Sequence, residues 1–112
     1  MVEYTFSLDN TFGALADPTR RDILRRVSSA ELSISEIARN YDLTFAAISK
    51  HLKVLERASM IIKRRKGKEQ LVSIAPQAFA DADEYLKFYR RLWEERLDSL
   101  DAYLSSINDK EK

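Results

Sequence analysis

No cysteine occurs in the 112-residue chain, which excludes a disulfide framework, a thiolate metal site and a cysteine nucleophile. Histidine occurs once, as His51, and a lone imidazole cannot assemble a metal centre. The two glycines, Gly13 and Gly67, stand far apart, so there is no glycine-rich loop to cradle a phosphate. Serine–histidine and paired-carboxylate combinations exist, but at spacings that carry no catalytic signal. The sequence therefore predicts no enzyme, no catalytic residues, no metal and no cofactor. The longest uncharged run is Gln70 to Ala80, eleven residues broken by Pro76, against roughly 20 apolar residues for a membrane span. Glu3 does not suit the start of a signal peptide. No membrane partner is expected, and the expected location is the cytoplasm.

The chain also lacks a net charge of consequence, at a formal +1, but that balance conceals an asymmetry. Residues 44 to 68 hold eight basic side chains (Lys50, Lys53, Arg57, Lys63, Arg64, Arg65, Lys66 and Lys68) against the single acid Glu56. Residues 1 to 43 sum to −2 and residues 77 to 112 to −3. A cationic run is either a solvated face neutralised by its neighbours or the footprint of a polyanion. The elements beneath it decide which.

Asp17-Pro18 reads as an N-cap followed by proline at the first helical position, with Ile23, Leu24 and Val27 at helical spacing. Upstream, Asp9 or Asn10 can cap a short helix carrying Phe12 and Leu15, and the alternation of Tyr4, Phe6 and Leu8 suits an extended arm. Ser33 and Glu36 have capping-box spacing, predicting a short helix over about Ser35 to Tyr41. Asp42-Leu43 breaks it. Thr44 then caps a second helix to about Ala58, with Ile48, Leu52 and Leu55 facing a core. Two short helices joined by a tight turn make a helix-turn-helix. Next, Met60 to Ile62 and Gln70 to Ile74 are rich in β-branched residues and flank Gly67, which can supply a positive φ. That predicts a hairpin with a basic tip, the wing of a winged helix.

From Pro76 onward neither glycine nor proline recurs, and Phe79, Leu86, Trp93, Leu100 and Ile107 fall at intervals of seven, widened by Leu97 and Leu104. A helix from about Ala80 to Ser105 would run near 38 Å, longer than a compact domain of this size can cover. It either packs on its own core or, as favoured here, also pairs with its copy in a second chain. Arg90 interrupts the alternate seam, against a simple coiled coil. The fold class is accordingly mainly α with a small β-hairpin, a winged helix-turn-helix dimerised through its terminal helices. It is one domain over residues 1–112, with a core over 9–76 and a dimerisation helix over 77–107. The expected dimer interface comprises Phe12, Leu15, Leu86, Tyr89, Trp93, Leu97, Leu100 and Leu104.

At 100° per residue, Ala46, Ser49, Lys50, Lys53 and Arg57 share the face of the second helix opposite its core side. Small residues lead and basic ones follow, as suits a helix entering the major groove by its N-terminus. Ser49 and Lys50 are candidates for base edges. Lys53, Arg57 and the wing residues Lys63, Arg64, Arg65, Lys66 and Lys68 are candidates for phosphates. Thr44 stands at the helix start. Phe45, on the border of the face, either meets thymine methyl groups or plugs the helix onto its domain. His51, one step off that face, either meets a phosphate or fills a polar role at the helix edge.

Three stretches, Ala14 to Leu24, Ile34 to Ala38 and Ala47 to Ala58, together resemble the ArsR/SmtB family of bacterial winged-helix repressors over about residues 9 to 76. The resemblance implies a homodimer that blocks transcription from an inverted-repeat operator in double-stranded DNA, with the helix around Ser49 as reader, the hairpin as wing and the terminal helices as interface. Where metal-sensing members carry cysteines, this chain has Ser33 and Ser35, hydroxyls that bind soft metals poorly, and Asp81, Asp83 and Glu84 have no histidine beside them. Metal and thiol sensing are not expected. Ser59 stands where the family usually has glycine, which makes that helix cap costlier. An unknown effector or protein partner remains open, since Tyr85, Phe88, Tyr89, Trp93 and Tyr103 either line a ligand pocket or simply pack. The competing function is a winged-helix protein-interaction module without direct DNA readout, whose basic hairpin docks on an acidic partner.

Overall fold

The computed structural model describes residues 2–111, with side chains described from 8 to 109. Its elements run α1 (Val2–Leu15), α2 (Pro18–Ser29), β1 (Leu32–Ser33), α3 (Ile34–Ala38), α4 (Phe45–Arg57), β2 (Ile61–Lys66), β3 (Glu69–Ile74) and α5 (Ala80–Glu111). Contacts divide the chain into two units, residues 1–82 and residues 83–112.

In the first unit the helix starts follow the capping chemistry of the sequence. The Asp17 carboxylate accepts from the Arg20 amide at 3.0 Å ahead of α2. The Ser33 hydroxyl accepts from the Glu36 amide while the Glu36 carboxylate accepts from the Ser33 amide, both at 3.1 Å. Thr44 Oγ1 accepts from the Ala47 amide at 3.1 Å and opens α4. The end of α4 is a Schellman motif: the Ser59 amide donates to Glu56 and the Met60 amide to Leu55, each at 3.0 Å. That closure requires Ser59 at φ 58°, the left-handed region that an L-residue enters at a cost of roughly 1–2 kcal/mol.

Ile23, Leu24 and Val27 of α2, Ile37 of α3, Ile48, Leu52 and Leu55 of α4, and Met60, Ile61 and Val72 around the hairpin form one buried core. The sheet has strand order β1-β3-β2, antiparallel throughout, with Ile61 opposite Ile74 and Lys66 opposite Glu69. At the hairpin tip Gly67 has φ 62° and Lys68 does not share the positive sign, the φ pattern of a two-residue II′ turn.

Four sequence expectations change. The residues proposed as an extended arm belong to α1, because a three-residue alternation is too short to specify a strand. Leu8, Phe12 and Leu15 instead fall at helical spacing, and Asp9 and Asn10 lie within the helix. The side chains of Tyr4 and Phe6 fall outside the described residues. Helix α3 ends at Ala38, three residues short of Tyr41. Helix α5 reaches Glu111, beyond Ser105, since nothing in its sequence stops it. Finally, Leu32-Ser33 pairs with Val72-Leu71, a strand too short to show any period.

The end of α1 is closed by the next helix. Arg20 Nε donates to the Ala14 carbonyl at 2.8 Å, Arg20 Nη2 to Gly13 at 3.1 Å and Arg21 Nη1 to Leu15 at 2.7 Å. Cations there also meet the negative end of the helix dipole. The turn ahead of α4 is held in the same way. Tyr41 Oη donates to Asp22 Oδ2 at 2.5 Å, Arg26 Nε donates to the same oxygen at 2.9 Å, and Arg25 donates to Oδ1 at 2.5 Å. The Arg26 guanidinium lies 5.7 Å over the Tyr41 ring. These donors, Tyr41 first, bring the Asp22 carboxyl down to about 2, while burial first and then its own hydrogen bond to Asp22 push the Tyr41 phenol up to about 12.

The second unit is helical to Glu111. Its apolar residues Leu86, Tyr89, Trp93, Leu97, Leu100 and Leu104 lie within roughly 80° of arc at 100° per residue. All six are exposed, Trp93 at 61% and Leu100 at 50%.

Candidate nucleic-acid interface

Helix α4 buries Ile48, Leu52 and Leu55 and thereby turns its opposite face outward. Phe45, Ala46, Lys50, Lys53 and Arg57 are exposed and Ser49 is half-buried. Thr44 is exposed, but its hydroxyl is committed to the helix cap. Phe45 does not plug the helix onto the domain, because it stands 62% exposed.

His51 turns the other way. Its Nδ1 lies 3.2 Å from Arg20 Nη1 and 3.9 Å from Asp17 Oδ2, and the ring is half-buried. It ties α4 to the start of α2, the polar role at the helix edge. Asp17 is held below its ordinary value chiefly by the Arg20 amide, with His51 and Arg20 adding to the effect.

The wing cations separate into two groups. Lys63 Nζ pairs with Glu56 at 3.4 Å. Arg64 grips Glu31 with both Nε, at 3.2 Å, and Nη2, at 2.6 Å, a fork that holds the glutamate below the usual carboxylate range. Such exposed pairs contribute little stability, but they neutralise two of the eight cations. Lys50, Lys53, Arg57, Arg65, Lys66 and Lys68 form no ion pair among the described residues. Arg65 Nε reaches only the Gly67 carbonyl, at 3.4 Å, and Lys66 exerts a weaker pull on Glu31. The positive field is thus concentrated on the outward face of α4 and the hairpin tip.

An open cleft of about 430 Å³ lies between these two features, lined by Ser33, Ile34 and Ser35 of the α3 start, Phe45 of α4, and Arg65, Lys68, Glu69 and Gln70 of the wing. The sequence reading missed Ser35 and Gln70 as neighbours of Phe45. Only the register, with Arg65 opposite Gln70, brings the return strand beside the helix start. Leu43, 43% exposed in the turn, is a second large apolar residue near the start of α4 that the sequence reading did not single out. A helix with small leading residues, flanked by cations and a basic hairpin, matches a groove in width and a phosphate backbone in charge.

Among the expected interface residues, Phe12 is exposed at 39% and Leu15 is half-buried against the core, both in the first unit. On α5, Tyr85 and Tyr89 stack tilted at 5.6 Å, and Phe88 meets Tyr89 edge-on at 5.3 Å. Among the described residues no group of three histidines, carboxylates or cysteines could hold a metal ion, and no helix is long and apolar enough to cross a membrane.

The sequence profile of a helix-turn-helix domain family matches residues 15–64. The chain is 36% identical over 74 residues to the HTH-type transcriptional regulator Rv2034 of Mycobacterium tuberculosis, covering 66% of this chain and 69% of that protein. It is 30% identical over 79 residues to the transcriptional repressor SdpR of Bacillus subtilis, covering 70% and 88%. Among solved structures it is similar to the ArsR family transcriptional regulator RHA00566, with a TM-score of 0.74 and 32% identity over 80% of this chain and 93% of the other.

Proposed function

Because the chain belongs to the ArsR family of winged-helix transcriptional regulators, we propose that it is a sequence-specific DNA-binding repressor. It acts as a homodimer on an inverted-repeat operator and does not respond to metal. The observation that carries this reading is the set of six cations on the outer face of α4 and the hairpin tip that form no ion pair among the described residues. A solvated face with neutralising neighbours would have left few of them free.

In this reading Ser49 and Lys50 address base edges, Ala46 allows close approach, and Lys53, Arg57, Arg65, Lys66 and Lys68 meet phosphates. Lys63 and Arg64 brace the wing through Glu56 and Glu31. The exposed apolar stripe of α5 supports pairing with a second copy, and a two-fold pair presents two reading helices to two half-sites about 10 base pairs, or a multiple, apart. The metal-independent reading is supported by Ser33, whose hydroxyl sits in the capping box where sensing relatives would carry a thiolate ligand. Repression is taken from the named activity of SdpR, and a cytoplasmic location follows from the need to reach the chromosome.

The test is selection of bound duplexes from a random pool, followed by titration of the recovered site between 50 and 200 mM salt. A palindromic site, bound roughly 10³-fold or more weakly at the higher salt, is the expected result for six or more neutralised phosphates. No enrichment, or binding indifferent to salt, would overturn it. Persistence of a protein complex after charge reversal at Lys50 and Lys53, with no duplex bound by the native protein, would move the function to an acidic protein partner.

A further inference from the structure

Phe45 is an anomaly on a cationic surface. The residue is 62% exposed at the first position of α4, and it shares a cleft with the wing cations Arg65 and Lys68. Its sequence neighbours offer no shield, since Thr44 is turned to the helix cap and Ala46 ends at its β-carbon. Around the ring the cleft presents Ser33, Ser35, Gln70, the two cations Arg65 and Lys68 and one acid, Glu69, with Ile34 as its other apolar residue. What covers the ring must therefore be apolar in one spot and anionic around it.

We propose that Phe45 is a specificity-determining residue that selects thymine in each half-site by packing on its 5-methyl group. The inference rests on the DNA-binding reading above. In the major groove a duplex is lined by donors and acceptors, and the thymine methyl is the apolar group it displays. Position favours the same assignment, because the leading residues of a reading helix are those that reach base edges, and Phe45 precedes Ser49 by one turn. The helix thus carries one apolar contact ahead of its polar ones. The surrounding cations hold the backbone on either side without reading sequence.

The experiment replaces thymine by uracil, one symmetric pair of positions at a time, in the duplex selected by the native protein. Removing one buried methyl weakens binding about fourfold, or about fifteenfold for both half-sites of a symmetric duplex. The native protein is expected to show that loss at one thymine per half-site. Phe45→Ala is expected to bind the thymine and uracil duplexes equally, with its salt dependence unchanged, and Phe45→Leu to retain part of the discrimination. Because the ring lies outside the core, both variants should keep the native circular dichroism spectrum and unfolding midpoint. Indifference of the native protein to uracil at every position, or equal discrimination by native protein and Phe45→Ala, would overturn the inference while leaving DNA binding intact. If the native protein retains no duplex at all, the DNA-binding reading fails and the thymine assignment fails with it.

Discussion

Asp22→Asn should remove a pH-dependent part of the stability. In the native protein the carboxylate receives Tyr41, Arg26 and Arg25, which lowers its pKa from 3.8 to about 2. At roughly 1.4 kcal/mol per pKa unit that shift is worth about 2 kcal/mol at most. The side chain is 24% exposed, so solvent screening reduces the figure to about 1–2 kcal/mol. The sign follows from the depression. The contribution is complete above the unfolded value near 3.8 and is lost as pH falls through about 2. Urea unfolding of both proteins at one fixed protomer concentration, at pH 7, 4 and 2.5, reads the effect. Asp22→Asn should be about 1–2 kcal/mol less stable at pH 7 and 4, and the gap should narrow at pH 2.5, where the native carboxylate is itself titrating. A gap of the same size at every pH would refute the electrostatic account and leave a packing defect as the cause. The network matters beyond stability, because Tyr41 stands at the entrance of the turn that aims α4.

Two further perturbations test other parts of the chain. Ser59→Gly relieves the strain at φ 58°, offset by the greater freedom of glycine in the unfolded chain. It should stabilise by roughly 0.5–1 kcal/mol, seen as a raised urea midpoint at constant slope, and a lowered midpoint would refute the strain. Trp93→Glu combined with Leu100→Glu places charges on the exposed stripe of α5. Loss of two apolar contacts per chain should weaken the proposed dimer at least ~100-fold, read by sedimentation equilibrium, and an undiminished dimer would move the interface elsewhere.

The sequence was most legible where chemistry is local. Asp17, Ser33 and Thr44 announce their helices because a short side chain reaches an amide two or three residues on, whatever the rest of the molecule does. The costlier cap at Ser59 was legible only through the resemblance, since the family usually has glycine there, and its left-handed φ of 58° shows why. The core stripes of α2 and α4 were readable from period, and the hairpin from β-branched runs around Gly67. The weaker readings were those in which a short pattern had two solutions, as in the alternation within the first half of α1, or no period at all, as in β1.

Which cations are free was invisible in the chain, because a charge is cancelled by what lies beside it in space. Arg64 finds Glu31 across the sheet, and Lys63 finds Glu56 on α4; both looked no different from Lys66 or Lys68. The orientation of His51 toward Asp17 and Arg20, the exposure of Phe45 and the cleft it shares with Gln70 were settled by the same kind of long-range placement. Residue order determined the elements, their caps and the sign of the field, since each depends on neighbours within a turn. Packing alone determined which of those charges and rings face outward, because that depends on residues that the fold brings together from separate elements.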